Sequence, residues 1–173
     1  RSRYLVLALL TGAYALSVID RGIISVVLTD VQREFALSDT QLALLGGTAF
    51  ALFYATLGIP IARLADRSNR RIVLTASVIV WSAATALSGV AVGFWSLFLA
   101  RVIVGAGEAG CTPTSHSLIT DYFGKRELAR ALGVYSAGAI VGMLSGFLLG
   151  SILAQHFGWR TVFIALGLPG VVF

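Results

Sequence analysis

Charge is scarce in this sequence. Asp, Glu, Lys and Arg make up 12% of its 173 residues, about half the share found in a soluble domain. With so few charges and 57% hydrophobic residues, the chain cannot clothe a globule of its size in polar surface. This excludes a disordered or collagen-like chain and argues against a soluble metabolic enzyme or a nucleic-acid binder. Cysteine is almost missing: the lone Cys111 excludes an internal disulfide framework and a Cys-rich zinc centre. No Met stands at position 1 and the chain stops inside an apolar run, which reads as a fragment of something longer. What remains is apolar, with mean hydropathy +0.88, and it belongs in a bilayer.

A helix crossing about 30 Å of hydrocarbon needs roughly 20 apolar residues. Six stretches qualify: 4–28, 42–61, 72–92, 94–118, 129–153 and 161–173, the last cut short. A secretory signal peptide would account for only the first and is too short for it. The expected fold is all-α, a polytopic six-helix transmembrane bundle over 1–173. The net charge of +5 would suggest nucleic acid in a soluble protein. Here the basic residues Arg1, Arg3, Arg63, Arg67, Arg70, Arg71, Lys125, Arg126 and Arg130 fall in alternate inter-helix segments, the pattern of the positive-inside rule. That puts the N-terminus in the cytoplasm and the acidic segment 30–39 outside, with the plasma (inner) membrane as the expected location. Ser38 followed by Gln41 has the spacing of a capping box opening the second helix.

Glycine is abundant, with 19 residues. Gly138, Gly142, Gly146 and Gly150 repeat every four residues along the fifth span and share one helix face, where another backbone can approach closely. The stripe is either a static helix seam or one along which helices slide. Gly105, Gly107 and Gly110 formally spell the dinucleotide-binding G-x-G-x-x-G. That mechanism needs a preceding strand and an aqueous pyrophosphate, whereas these glycines lie mid-span. No G-x-S-x-G, H-E-x-x-H or Walker A pattern occurs, so hydrolase and ATPase readings have no support, and no cofactor or metal is called for.

The informative residues are the ionisable ones inside spans: Asp20 and Arg21 in the first, Arg101 and Glu108 in the fourth. Each costs roughly 2.5–3.5 kcal/mol at the centre of a lone helix, so they need partners or a water-filled cavity. At about 1.5 Å per residue, Asp20 comes out roughly 5 Å and Arg101 roughly 8 Å to the outer side of the midplane, with Glu108 near it. Arg101 and Glu108, seven apart, share a helix face. Asp20 and Arg101 are therefore the expected partners across the bundle, with Glu108 deeper on the same wall. Burial favours the neutral form of an acid and a nearby guanidinium the ionised form. Two carboxylates competing for one arginine would thus couple protonation to rearrangement; the alternative is a permanent structural salt bridge. Arg21, about 100° round the helix from Asp20, either joins this site or snorkels. His116 reads as a polar residue at a helix end rather than a proton relay, and Pro113 as a kink.

At this point the residues resemble a known family. The loop A-R-L-A-D-R-S-N-R-R, 62–71, resembles the G-x-L-A-D-R-x-G-R-R signature of the major facilitator superfamily, with Ala62 and Asn69 in place of the two glycines. Arg101 with V-G-A-G-E-A-G resembles that superfamily's helix-four arginine motif. I-D-R in helix one, S-D-T-Q-L-A-L-L before helix two and G-E-A-G in helix four are similar to the Spinster branch, which moves lysolipids and sphingoid lipids. Sugar-acid and organic-anion symporters share D-R and G-E-A elements, and Met143 departs from the drug-antiporter pattern. The resemblance implies the N-terminal six helices of a twelve-helix transporter, with the substrate between two halves near the midplane. It further implies alternating access, a lipid or organic-anion substrate, proton coupling at Asp20 and Glu108, and Arg101 with Arg21 for substrate or coupling. Asp66, Arg67, Arg70 and Arg71 would form a cytoplasmic gate. No enzyme activity and no nucleic-acid partner are implied, and the complete twelve-helix chain would work as a monomer. The rivals are a proton-coupled symporter of sugar acids and a non-transporting membrane sensor on the same fold.

Overall fold

The computed structural model describes residues 2–172; the side chains of Ser2, Ala49, Ala62 and Asp66 lie outside the description. Eight α-helices follow in order: α1 (Ser2–Phe35), α2 (Asp39–Ala43), α3 (Ala49–Arg67), α4 (Arg70–Ser88), α5 (Phe94–Glu108), α6 (Cys111–Tyr122), α7 (Lys125–Phe157) and α8 (Trp159–Val172). Among the described residues, five helical stretches are long and apolar enough to cross a membrane: Arg3–Phe35, Asp39–Ala65, Arg70–Ser88, Phe94–Tyr122 and Lys125–Phe157. Trp159–Val172 is a shorter apolar helix.

Two of the expected spans are broken helices. Between α2 and α3 lies a π-helical turn, Leu44–Thr48, in which Gly47 has φ 153°. Only a residue without Cβ adopts that angle cheaply, so the paired glycines Gly46 and Gly47 let the span change direction here. The span over 94–118 divides at Ala109 and Gly110. Pro113 has no N–H to offer the carbonyl of Ala109, so the helical ladder is interrupted one turn before it. Glu108 is thereby the last residue of α5, beside the break.

The segment 30–39 is less of a loop than its polarity suggests. Gln32, Arg33 and Glu34 continue α1 to Phe35, because they are good helix formers and Glu34 finds partners there. Its carboxylate accepts from Trp159 Nε1 and Arg160 Nη2, each at 2.6 Å. Arg160 also donates to the carbonyls of Gly89 (3.2 Å) and Ala91 (2.6 Å), tying α1, the α4–α5 turn and α8 at one end. Ser38 does cap α2: its Oγ accepts from Gln41 N, while Gln41 Oε1 accepts from Ser38 N at 3.0 Å. Asn69, at the position where the superfamily signature has glycine, caps α4 by accepting from Arg71 N at 3.0 Å.

The α7 glycines face α1. A Cβ on Gly138 would lie 2.8 Å from the carbonyl oxygen of Thr11, and one on Gly146 would lie 3.1 Å from Ile19 Cα. The two longest helices therefore pack backbone to backbone, and this contact sets how α1 is rotated about its axis. Three apolar clusters stack along the bundle. One at the Glu34–Arg160 end centres on Val27, Leu97 and Phe163; one at the opposite, basic end on Leu7, Ile119 and Tyr135; the third holds Ala13, Val78, Trp81 and Val104. Gly138→Leu in the full-length protein is expected to lower thermal stability by the roughly 1–3 kcal/mol typical of overpacking. Gly133→Ala, where an added Cβ meets nothing within 4 Å, should leave it unchanged. Melting of the detergent-purified variants, followed by size-exclusion chromatography, checks this.

Candidate functional site

Sequence spacing on α1 builds the centre of the bundle. Ser17 and Arg21 are one turn apart and share a face, and a long helical side chain leans back over the preceding turn. Arg21 does so: its Nη2 donates to Ser17 Oγ at 3.2 Å, and its Nε donates to Glu108 Oε2 at 2.7 Å. Ser17 Oγ donates to the same carboxylate oxygen at 2.9 Å. Glu108 is 0% exposed, so this is a carboxylate held inside the protein by two donors from one turn of α1.

Asp20 faces another way. One residue of helix rotates it about 100° from Arg21, and it accepts from Thr85 Oγ1 of α4 at 2.6 Å. Arg101, 2% exposed, makes no ion pair among the described residues, and its Nε and Nη1 lack hydrogen-bond partners. Its guanidinium instead lies 5.6 Å from the centroid of the Phe50 ring. The same ring is 5.3 Å from the Arg21 guanidinium, which is also 4.8 Å from Tyr54. Two cations share one aromatic ring, each gaining on the order of 1 kcal/mol from the ring quadrupole.

The expected pairing of Asp20 with Arg101 is therefore corrected: the ion pair is Arg21 with Glu108. Depth along the axis placed these groups at similar levels, but azimuth decides which of them meet. Asp20 turns toward α4, whereas Arg21 turns toward α3 and α5. Arg21 is a partner of the deepest acid and not a snorkelling residue, and the i, i+4 relation of Ser17 to Arg21 is the signal that marks it. Ser17, Phe50, Tyr54 and Thr85 went unnoticed in the sequence because uncharged residues in apolar spans look like packing. Asp20 Oδ1 and Glu108 Oε1 each remain without a hydrogen-bond partner, as do the two Arg101 nitrogens. Buried polar atoms are ordinarily satisfied, so this cluster has spare capacity on both its acids and its free arginine.

Close packing of α5 brings these groups together. A Cβ on Gly105 would sit 3.0 Å from the Phe50 carbonyl oxygen, and one on Gly107 would sit 2.9 Å from Trp81 Cβ. The glycine run that mimics a dinucleotide fingerprint is thus a packing surface against α3 and α4. Below it, His116 stands edge-on to Tyr135, ring centroids 5.2 Å apart, and Tyr135 stacks on Tyr14 at 4.6 Å.

The loop residues form a separate group at the basic end. Arg70 pairs with Asp121 of α6 at 2.6 Å, and Arg71 donates to Tyr122. Arg67 ends α3. The side chain of Asp66 lies outside the described residues. Arg3 pairs with Glu127 at 2.7 Å, joining α1 to α7 at the same end.

Arg21→Gln should strand the Glu108 carboxylate and destabilise the protein by on the order of 3 kcal/mol. Arg21→Gln with Glu108→Gln, which removes both charges, is expected to recover most of that loss. Melting temperatures of the single and double variants decide it, and equal loss in both would refute the pairing.

Comparison with known proteins gives a consistent picture. The Major Facilitator Superfamily profile matches residues 10–173. A solved bacterial homologue of the human lysosomal transporter Spinster, inward-facing and unoccupied, superposes with TM-score 0.91 at 41% identity over 98% of this chain and 41% of that one. Among curated relatives, an MFS-type efflux pump of Mycolicibacterium smegmatis is 34% identical over 91% of this chain and 37% of its own length. The D-galactonate transporter of Escherichia coli is 31% identical over 99% and 40% respectively. The sphingosine-1-phosphate transporter SPNS2 of Danio rerio is 31% identical over 87% and 31%. The chain thus spans well under half the length of the relatives it matches.

Proposed function

The chain belongs to the major facilitator superfamily, and from that premise we propose that it is the N-terminal six-helix part of a proton-linked, Spinster-like secondary transporter. The cluster of Arg21, Glu108, Asp20 and Arg101 carries this reading. Two acids and two arginines balance when all are ionised. Taking up one proton leaves an excess positive charge in a low-dielectric interior, where it strongly favours an anionic group. Arg101, with its Nε and Nη1 unpartnered, receives that group in this reading. Releasing the proton restores the balance and expels the anion. Glu108 sits beside the α5–α6 break, so a change in its charge acts on a point where the helix is already interrupted.

In this scheme Asp20 and Glu108 take up the proton, and Arg101 with Arg21 serves the substrate or the coupling. Arg67, Arg70 and Arg71, with Asp66, gate the basic end, which faces the cytoplasm. The Arg70–Asp121 and Arg71–Tyr122 contacts between α4 and α6 are of the kind that such a gate makes and breaks. The substrate is a lysolipid or sphingoid-type lipid with an anionic headgroup. The SPNS2 relative, a sphingosine-1-phosphate transporter, and the 41% identity to the Spinster homologue support that class. A second reading, symport of a small sugar acid, draws on the same free guanidinium and on the galactonate transporter.

Reconstituted full-length protein should accumulate lysolipid under a pH gradient and lose at least about tenfold of that rate in Glu108→Gln and in Asp20→Asn, a barrier change of about 1.4 kcal/mol or more. Gradient-driven uptake that survives both substitutions would remove the protonation assignment. Competition by a sugar acid but not by a lysolipid would select the second reading, and absence of any flux would leave a sensor.

A further inference from the structure

Glu108 is fully buried, and α6 leads from it toward the basic end of the bundle. For a segment so well packed, the start of α6 is unusually polar. Cys111, Thr112, Ser115 and His116 follow Glu108 at steps of three and four, the spacing that keeps side chains on one side of a helix. His116 is eight residues on, roughly 12 Å of helix rise. The structure places it within α6, six residues before Tyr122, and not at a helix end. His116 is exposed, whereas Cys111 and Ser115 are buried.

These groups are not spent on their own helix. Ser88 and Ser145 donate to carbonyls one turn back, at 3.0 and 2.6 Å. Ser115 Oγ instead meets Cys111 Sγ at 4.0 Å. Across from it α7 contributes Tyr135, 1% exposed, whose hydroxyl neighbours Ser115 and Thr112 and has no hydrogen-bond partner. Its ring stands edge-on to His116, centroids 5.2 Å apart, and stacks on Tyr14 of α1 at 4.6 Å. Glu108 Oε1, at the other end of the row, is likewise unpartnered. Apolar side chains would fill this volume without the cost of desolvating a thiol and three hydroxyls. The other titratable or charged groups around the row are Tyr14, Arg21 at the Glu108 end, and Arg70 and Arg71 of α4, which are engaged farther along with Asp121 and Tyr122.

We propose that this row is the route by which a proton passes between His116 and Glu108, a reading that rests on the proton linkage proposed above. A hydroxyl or thiol accepts a proton on a lone pair while giving up its own, and an imidazole takes one at one ring nitrogen while releasing one from the other. His116 takes the proton from the aqueous side and releases one toward the hydroxyls of Tyr135, Thr112 and Ser115. Cys111 receives one from Ser115 and passes its own to Glu108 Oε1, which forms the last O–H bond. One proton enters, one arrives, and each relay group keeps its proton count. Steps longer than a direct hydrogen bond are closed by single waters. Tyr135 and His116 therefore govern how fast Glu108 changes its charge and leave the position of its equilibrium alone.

The test needs no substrate. Full-length protein in nanodiscs is given a rapid pH drop, and the infrared carbonyl band of protonated Glu108, identified by its loss in Glu108→Gln, is followed in time. Tyr135→Phe keeps the aromatic stack and removes only the hydroxyl. In this variant and in His116→Ala the band is expected to rise about 10²-fold more slowly, the lower end of what one positioned proton-transfer group contributes. Its final amplitude should match the wild type, and added imidazole should restore the rate of His116→Ala. A wild-type rate in either variant would overturn the route while leaving Glu108 as a proton acceptor. A final amplitude that falls along with the rate would mean that the substitutions alter the surroundings of the acid, and the route fails in that case too. If the wild type shows no such band at any pH, the protonation of Glu108 fails and the route with it.

Discussion

A fully buried carboxylate in a membrane bundle must be supplied with donors or give up its charge, and much of this structure follows from the way Glu108 is supplied. Both donors come from one turn of α1, so α1 has to keep its rotation and height against α5 for both bonds to form. The glycine seam provides that constraint. With no side chains between them, α7 and α1 meet backbone to backbone at Gly138, Gly142 and Gly146, leaving α1 little freedom to turn. At its far end Glu34 anchors α1 to Trp159 and Arg160. At the near end Arg3 holds it to Glu127.

Against that rigid frame, the remaining charges are incompletely committed. Asp20 has one oxygen bonded to Thr85 and one without a hydrogen-bond partner, and Arg101 rests on an aromatic ring with no acid at ion-pair distance among the described residues. A purely structural network would close on itself, because each unsatisfied polar group in a low-dielectric interior is costly. The sharing of Phe50 by two guanidiniums is informative in the same way. An aromatic face attracts a cation without fixing its direction as a carboxylate does, so Arg101 keeps its hydrogen-bonding fork available. Rigid helices carrying one committed and one uncommitted arginine suit the exchange of partners that the proposed function calls for.

Helix interruptions are placed where such exchange would act. The α5–α6 break adjoins Glu108, and the π turn with Gly47 immediately precedes Phe50 on α3. In both places glycine and proline chemistry weakens the helical ladder within a turn or so of a residue of the charged cluster. The long helices α1 and α7 each run without a break, from Ser2 to Phe35 and from Lys125 to Phe157.

The all-helical membrane class, the apolar spans and the anomalous charges were legible in the sequence, because hydropathy and the cost of an intramembrane charge are properties of each segment by itself. Glycines every fourth residue likewise announced a close helix contact. The branch resemblance rested on short motifs, and the comparison with the solved Spinster homologue agrees with it. What only the tertiary structure decided was who meets whom: Arg21 and not Arg101 takes Glu108, Asp20 turns to Thr85, and the glycine run of α5 packs against Phe50 and Trp81. Helical periodicity defines depth and face within one helix, but the rotation of one helix relative to its neighbours arises from packing over the whole bundle. A 100° step between adjacent residues is then enough to send Asp20 and Arg21 to different partners.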